Sequence, residues 1–166
     1  MTNSIDLYRA NSIRVLAKIL DHSMLGQVER YMSQAIVDKN ELVSSSALLA
    51  GLQFIRHAGN IDIIRRWVSE IQTALSTKSD AVQFHALALL RTVKQGDRLA
   101  MSKLVVQMMK GQVRSPLAVC LLIRYTSAML VDDTAGADAR VCYEFLEVRT
   151  CVLYAPAALS FCPASQ

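Results

Sequence analysis

The sequence has 166 residues, of which 52% are hydrophobic and 19% are charged, so it carries enough apolar material for one folded domain with a sizeable core and is not a disordered chain. Aromatic residues contribute only 6%, which favours close packing of helices over strands. The formal net charge of +4 is spread along the chain without a block of like charges, and so does not by itself indicate a nucleic-acid partner.

Apolar residues recur at helical spacing between short polar breaks, and this pattern predicts an all-α chain. Helices are predicted, in chain order, over residues 5–20, 23–38, 43–57, 61–76, 80–94, 98–112 and 116–131, with a weak helix over 139–148 and a last stub over 152–161. Residues 132–137 are interpreted as an exposed loop. Residues typical of helix ends mark the breaks: Gly59 with Asn60, Gly96 with Asp97, and Ser115 with Pro116.

The helices form an internal repeat with a period of about 36 residues. In the second helix of each pair, Leu25 recurs as Ile61 and Met32 recurs as Val68, each 36 residues further on. Because a two-helix unit cannot bury its apolar face alone, we expect the units to stack into an α-solenoid of HEAT or armadillo type with about four and a half repeats. For the first helices we predict a register that makes these residues equivalent: Tyr8, Val43, Val82, Leu117 and Val152.

Two aromatic residues bear on the type of repeat. Tyr31 and Trp67 lie 36 residues apart and are expected to share a packing role. A tetratricopeptide array has a similar period, but Trp67 is not followed by the pattern W-x2-L-G-x2-Y of that family. The HEAT or armadillo interpretation is therefore preferred.

The repeat also sets the expected domain organisation. Residues 1–166 are predicted to form a single α-solenoid segment, with clear repeats over residues 5–131 and a divergent or truncated end over residues 132–166. No signal peptide opens the chain, and its uncharged stretches are too short to span a membrane, so we expect a soluble intracellular protein. The four cysteines show no metal-binding spacing and are expected to be reduced packing residues.

No residues of the sequence form a recognisable catalytic or cofactor site. His22, His57 and His85 lie on or beside separate helices without a partnered nucleophile, and the apolar segment around His85 is typical of a packed histidine. The run Ser44 to Ser46 is expected in the first turn of a helix, where hydroxyl groups cap free N–H groups. Because neither a phosphate-binding glycine loop nor a zinc motif occurs, we expect no enzyme activity, no cofactor and no metal.

One set of charged residues is more informative, and we call it the basic column: Arg30, Arg66, Lys103 and Arg140. These residues occupy the same register in successive second helices, at separations of 36, 37 and 37 residues. Stacked repeats would align them, and such a surface could receive acidic side chains of a protein partner or anionic lipid headgroups. A module that binds nucleic acid through the same column is the alternative, although stacking aromatic residues do not accompany the charges. Solvated helix faces also carry Lys and Arg without any function.

Seven strings of the sequence follow one another in order between Leu7 and Tyr125: YRANSIRVL, ERYMSQAIVDK, VSSSAL, RRWVSE, VQFHALALL, DRLAMSKLV and SPLAVCLLIRY. Together they closely resemble the trunk of the gamma subunit of coatomer, and they resemble the large adaptins of clathrin adaptors less well. The resemblance fades from Asp132 onward. It does not include the C-terminal appendage domain of that family.

The resemblance implies an α-solenoid in the COPI coat, which assembles on Golgi membranes, is recruited by the GTP-bound small GTPase Arf, and serves retrograde and intra-Golgi transport. It implies Arf and the neighbouring coat subunits as partners, namely the zeta subunit and subunits of the beta and delta type. It also implies a peripheral position on the cytosolic face of Golgi membranes and COPI-coated vesicles. The chain would then be a structural and docking element with no activity of its own and no nucleic-acid partner.

Overall fold

The computed structural model describes residues 5–59, 61–76, 79–94, 97–109, 113, 115–131 and 139–158. Within these ranges every regular element is a helix: α1 (Asp6–Ile19), α2 (His22–Ile36), α3 (Glu41–Ala58), α4 (Ile61–Arg65), α5 (Val68–Leu75), α6 (Asp80–Lys94), α7 (Arg98–Met109), α8 (Pro116–Val131) and α9 (Ala139–Ala158). The all-α class predicted from composition and periodicity is confirmed. No helix in these ranges is long and apolar enough to cross a lipid bilayer.

The helices stack in two layers. Layer A is formed by α1, α3, α6 and α8, each packed against the next, and layer B is formed by α2, α4, α5, α7 and α9. Layer B covers one side of layer A, since α2 packs on α3, α5 packs on α6 and α7 packs on α8. This arrangement is the stacking of helix pairs predicted for a HEAT-type solenoid, in which each pair buries its apolar surface against its neighbours.

The helices of layer A run in the same direction, with their N-terminal ends at one edge. The Asn40 side-chain amide at the start of α3 donates to Asp6 Oδ2 at the start of α1 over 2.7 Å. The Ser115 backbone N–H at the start of α8 donates to Gln83 Oε1 in the first turn of α6 over 3.0 Å. Short connections between antiparallel partners produce this parallel alignment of every second helix.

The buried side of layer A shows how its four helices align. Tyr8 and Leu117 are 54% and 62% exposed, whereas Val43 and Val82 are buried, so these four residues are not equivalent. The predicted register of the first helices is therefore wrong for α1 and for α8, and the side chain of Val152 lies outside the described residues. The residues that are equivalent are buried at positions i, i+3 and i+7 of each helix: Ala10, Ile13, Ala17; Ala47, Ala50, Phe54; Ala86, Leu89, Val93; and Leu122, Tyr125, Met129.

Small side chains explain this error. Ala10 and Ala17 lie on the face of α1 that is buried, and Ala118 lies on the buried face of α8. Small residues allow helix axes to approach closely, so they occupy the contact even though they carry little apolar area. Tyr8 and Leu117 carry more apolar area than these alanines but point away from the core. The apolar area of a side chain therefore does not by itself identify the buried side of the helix.

The register predicted for the second helices is confirmed in part. Leu25 and Met32 on α2 are buried, whereas their predicted equivalents Ile61 and Val68 are only half-buried. The other buried residues of layer B include Ile64 on α4, Ile71 on α5, Val105 and Met108 on α7, and Cys142 on α9. Cys142 thus has the predicted packing role, whereas Cys120 is exposed and does not. The side chains of Cys151 and Cys162 lie outside the described residues.

Three of the predicted helices are divided or joined differently in the structure. The helix predicted over residues 61–76 is interrupted, because the N–H groups of Arg66 and Trp67 bond three residues back, to Ile63 and Ile64, over 3.2 and 3.0 Å. The weak helix and the stub predicted after residue 138 are one continuous helix, α9, since no Gly or Pro separates them. The described residues therefore contain four helix pairs without a separate half repeat, and the loop predicted over residues 132–137 lies outside them.

The predicted helix ends are largely confirmed. Gly59 adopts a left-handed conformation at φ 62°, and Asp97 Oδ1 accepts the N–H of Ala100 over 3.0 Å. Ser115 Oγ lies 3.5 Å from the N–H of Ala118, and the helix begins with proline. Asn60 and Gly96 lie outside the described residues.

The capping role predicted for Ser44 to Ser46 is wrong. Helix α3 begins two residues earlier than predicted, and its N-cap is Asn40, whose side chain accepts the N–H of Leu42 over 2.9 Å. The serines therefore lie beyond the first turn. Ser44 instead donates to the carbonyl of Ile36 over 2.6 Å and ties α3 to the end of α2.

Candidate docking surface

The basic column lies on layer B. Arg30 is on α2, Arg66 is in the turn between α4 and α5, Lys103 is on α7 and Arg140 is on α9, and all four side chains are exposed. The buried positions of the same helices follow the same repeat, so each helix pair contributes one cation to an equivalent place on the surface. The structure therefore places all four predicted residues on one layer.

Carboxylates accompany two of these cations. Arg66 Nη2 lies 2.8 Å from Glu29 Oε2 of the preceding helix pair, and Arg140 Nε lies 3.1 Å from Glu144 Oε1 one turn away. Both pairs are solvated, since the Arg66 and Arg140 side chains are 61% and 91% exposed. Pairs of this kind contribute about 0–1 kcal/mol to stability, and their main effect is to lower the local positive charge.

Arg30 and Lys103 have no ion pair to a side chain in the described part of the chain. Their exposed cationic groups are available to a partner without first breaking an ion pair. Between them, the Glu29–Arg66 pair presents both signs of charge. The column is therefore a surface of mixed charge with two available cations, and it suits a protein partner with carboxylates better than a uniform polyanion.

A second row of polar residues on layer B repeats one turn further along each helix, and all of its members are exposed except Glu70, which is half-buried. This row consists of Gln34, Glu70, Gln107 and Glu144, at separations of 36, 37 and 37 residues. Amide and carboxylate groups thus run beside the basic column. Neither this row nor Glu29 was predicted from the sequence, although the i, i+4 spacing of Arg140 and Glu144 indicates an ion pair on one helix face.

The prediction that Tyr31 and Trp67 share a packing role is wrong for Tyr31. Trp67 is buried with 2% of its surface exposed, whereas Tyr31 is 50% exposed. The tightened turn at Arg66 changes the direction of the following residue, so the two equivalent positions face different ways. Tyr31 stands next to Arg30 in the chain, and a half-exposed tyrosine beside a cation is typical of a protein-binding surface.

Tyr31 also lines a cavity of about 260 Å³ between α1 and the α2–α3 corner. Arg9 and Asp38 form its polar wall and bond to each other, and this bond raises the pKa of Arg9. Arg9 Nη1 also donates to Asp6 Oδ1 over 2.9 Å, and Asp38 Oδ1 accepts the N–H of Asn40 over 2.9 Å. This network holds the α2–α3 turn on α1 and shapes the cavity below Tyr31.

The hydroxyl and imidazole groups closest to a catalytic arrangement are Ser45 and His85. Ser45 Oγ lies 2.8 Å from His85 Nδ1, and the half-buried position of the imidazole lowers its pKa. Within the described ranges no carboxylate hydrogen bonds to His85, and a carboxylate orients the imidazole of a catalytic triad. The packed role predicted for His85 is confirmed, and the pair joins α3 to α6. The same ranges contain no group of His, Cys, Asp and Glu suited to a metal ion.

Comparisons with known proteins agree with the solenoid and its repeats. Residues 1–155 match the adaptin N-terminal region. The chain is 53% identical over 149 residues to the gamma subunit of coatomer from Arabidopsis thaliana, an alignment that covers 89% of this chain and 17% of that protein.

Two animal relatives are similar in the same way. The probable gamma subunit of coatomer from Caenorhabditis elegans is 50% identical over 133 residues, which are 80% of this chain and 15% of that protein. The gamma subunit from Drosophila melanogaster is 47% identical over 138 residues, which are 83% of this chain and 16% of that protein. The resemblance seen in the sequence strings is confirmed, and the chain spans 15% to 17% of the length of these relatives.

Proposed function

The chain belongs to the family of the adaptin N-terminal region, and on that premise we propose that it is a structural segment of the COPI vesicle coat. The names of its relatives support this role, because all three are gamma subunits of coatomer. In this role the chain serves protein transport from the Golgi to the endoplasmic reticulum and within the Golgi. It acts through helix faces that bind other proteins and not through catalysis.

The observation that carries the docking mechanism is the pair of available cations on layer B. Arg30 and Lys103 are exposed, and Tyr31 stands beside the first of them. An exposed cation attracts a partner carboxylate and an adjacent tyrosine supplies contact area with little loss of conformational freedom. Together with Arg66 and Arg140, these residues form the proposed binding surface for a neighbouring coat subunit or a GTP-bound Arf GTPase.

The proposed partners are the zeta subunit, subunits of the beta and delta type, and Arf in its GTP-bound state. Binding to these proteins would hold the chain at the cytosolic face of Golgi membranes and on COPI-coated vesicles without a membrane-spanning helix. The alternative, a module that binds nucleic acid through the basic column, is less well supported. The Glu29–Arg66 pair places a carboxylate within that column, where it would repel phosphates.

The test is a pull-down in which the immobilised chain meets purified zeta subunit, GTP-loaded Arf or GDP-loaded Arf. We expect retention of the zeta subunit and preferential retention of GTP-loaded Arf. Equal or absent retention of the two Arf states would contradict Arf recognition by this chain. Absence of both Arf and zeta binding would contradict the docking role.

A double variant tests the surface itself. Arg30→Glu with Lys103→Glu is expected to weaken retention about tenfold or more, because two carboxylates of the chain would then face those of the partner. Arg124→Glu is the matched control, since this exposed arginine lies on α8 in layer A. Unchanged binding by the double variant would show that the basic column is solvated surface only.

A further inference from the structure

The outer face of layer A carries large apolar side chains that no described helix covers. Five of them define what we call the layer A apolar face, and their exposed fractions range from 38% to 62%: Tyr8, Val15, Leu42, Leu49 and Leu117. Isolated exposed apolar residues are common on protein surfaces, whereas a contiguous set marks an interaction site. The face lies on the opposite layer from the basic column and is a separate feature.

The buried stripes of layer A show how these residues align from helix to helix. Leu42 of α3 and Leu117 of α8 have the same position relative to their buried stripes, and Ala81 occupies that position on α6. Tyr8 and Val15 lie on α1, which packs directly against α3. Parallel helices packed side by side place such residues in rows that cross the layer. The apolar residues of α1, α3 and α8 therefore lie in rows across layer A, with the small residue Ala81 of α6 between Leu42 and Leu117.

The face carries two shallow, open grooves, one on α1 and one where α3 and α6 begin. One open groove of about 530 Å³ is lined by Tyr8, Asn11, Ser12, Val15 and Leu16 of α1. A second, of about 540 Å³, lies where α3 and α6 begin and is lined by Lys39, Asn40, Glu41, Leu42, Ser45 and Ala81. Grooves of this kind receive side chains that project from a ridge on the partner.

Charges of opposite sign flank the apolar face. At the N-terminal edge of layer A, Glu41 and Asp80 lie in the first turns of α3 and α6. At the C-terminal edge, Lys18, Arg56 and Arg91 lie in the last turns of α1, α3 and α6, and all three are exposed. Each charge is favourable at its end of the helix dipole, so the pattern costs the fold no stability. Three successive helices thus contribute a cation to one edge.

From this charge pattern and these grooves, we propose that the layer A apolar face binds an amphipathic helix of a partner protein whose apolar side enters the grooves and whose acidic flank faces Lys18, Arg56 and Arg91. An amphipathic helix supplies a ridge of apolar side chains at spacings of i, i+3, i+4 and i+7. Carboxylates on one flank complement the basic edge. An anionic membrane fits less well, because Glu41 and Asp80 on the other edge would repel its headgroups.

The first test uses a labelled synthetic helix as the probe. Its sequence places Leu residues along one face and Glu residues along one flank, and a sister peptide carries Lys in place of each Glu. Fluorescence anisotropy with the intact chain is expected to show at least tenfold tighter binding of the Glu peptide at low salt. The difference should narrow as ionic strength increases, since exposed charges are screened. Equal affinity for the two peptides would overturn the proposal.

Two variants with matched controls test whether the peptide binds at the layer A apolar face. Leu49→Gln removes an apolar contact from the face, and Tyr143→Gln makes a comparable change at an exposed aromatic residue of layer B. Arg56→Glu reverses one charge of the basic edge, and Arg65→Glu does so on α4 of layer B, outside the basic column. We expect the two layer A variants to weaken binding of the Glu peptide at least fivefold and the two layer B variants to leave it unchanged. An unchanged thermal unfolding midpoint confirms that each variant is folded.

Other occupants would give different results. Dimerisation of the chain in sedimentation experiments that is lost in Leu49→Gln would identify a second copy as the occupant and overturn the proposal. Binding to vesicles of phosphatidylcholine and phosphatidylserine that is lost in Leu49→Gln would identify a lipid surface and overturn it as well. Because the proposed helix-binding site lies on layer A and the basic column lies on layer B, failure here leaves the proposed docking of Arf or zeta subunit untouched, and the reverse also holds.

Discussion

Glu29 and Arg66 form an ion pair across two successive helix pairs, with Glu29 Oε2 2.8 Å from Arg66 Nη2. The residues are 37 apart in the sequence, which is close to one repeat. The pair therefore joins neighbouring units of layer B at the surface. It also neutralises one cation of the basic column, so that partner carboxylates compete with a carboxylate of the chain itself.

Removing that internal carboxylate should strengthen the binding of an acidic partner. Glu29→Gln is expected to change the free energy of unfolding by about 0–1 kcal/mol, because the Arg66 side chain is 61% exposed and solvent screens the pair. The same variant should bind the partner identified by pull-down several-fold more tightly, with a steeper dependence on salt. Glu41→Gln, an exposed change on layer A, is the control. Weaker binding by Glu29→Gln would contradict this role of the pair.

Two glycines should respond to alanine in opposite ways. Gly26 lies inside α2, and a Cβ there would meet no atom within 4 Å, so Gly26→Ala is expected to stabilise the chain by about 0.5–1 kcal/mol. Gly59 also has open space, but its φ of 62° is unfavourable for residues with a Cβ, so Gly59→Ala should destabilise by about 1 kcal/mol. Urea unfolding of both variants measures whether the free energy of unfolding increases in Gly26→Ala and decreases in Gly59→Ala. Stabilisation by Gly59→Ala would show that the helix end rearranges.

The features predicted correctly from the sequence are those with local causes. Apolar spacing depends on the helix period, and the caps at Gly59, Asp97 and Ser115 depend on their own backbone conformations or side-chain oxygens. The register of layer A could not be predicted this way. Its buried stripes depend on where small residues let two distant helices approach, and that is a property of the pair of helices.

The candidate site likewise has features that could be predicted from the sequence and features that depend on packing. The exposure of Arg30, Arg66, Lys103 and Arg140 follows from their shared register, which the sequence reveals. The turn that buries Trp67 contains no Gly or Pro to signal it, so the different exposure of Tyr31 could not be inferred from their equivalent positions. The second groove of layer A depends on the packing of α3 against α6, which sequence spacing does not describe.

The chain should lose stability when His85 becomes protonated. Burial lowers the pKa of His85 in the folded chain below its ordinary value of about 6.5, so the unfolded chain binds the proton first as pH falls. The stabilising contribution is therefore present above pH 6.5 or so and is lost as pH falls through the folded pKa. Thermal unfolding midpoints at pH 7.5 and 5.5 should differ less in His85→Asn than in the unchanged chain.

A matched histidine makes this comparison specific. His57 is exposed at the end of α3, and His57→Asn is the matched control for the loss of a histidine that is not packed. Asparagine is chosen because its side-chain amide can occupy the place of Nδ1 and bond Ser45 without titrating. Equal pH dependence in His85→Asn and the unchanged chain would assign the effect to other groups.

Among the polar contacts in the described part of the molecule, the network around Arg9 should contribute most to the free energy of unfolding. The Arg9 and Asp38 side chains are only 24% and 16% exposed, and Arg9 also bonds Asp6. Arg9→Met would leave both carboxylates without the guanidinium, at a cost of about 1–3 kcal/mol in the free energy of unfolding. The stability of Arg9→Lys should lie between that of the unchanged chain and that of Arg9→Met. Its ammonium group keeps the charge but lacks the planar guanidinium that can bond two carboxylates at once.

Urea unfolding of Arg9→Lys and Arg9→Met measures this order, with Arg14→Met as the control on the same helix. Arg14 is exposed, and a surface change of this kind is usually worth less than about 0.5 kcal/mol. High salt should not abolish the loss in Arg9→Met, because a partly buried contact is screened less than an exposed one. Equal stability of Arg9→Met and Arg14→Met would mean that water replaces the guanidinium, and the α2–α3 turn would then be held on α1 by apolar packing and the Asn40–Asp6 bond alone.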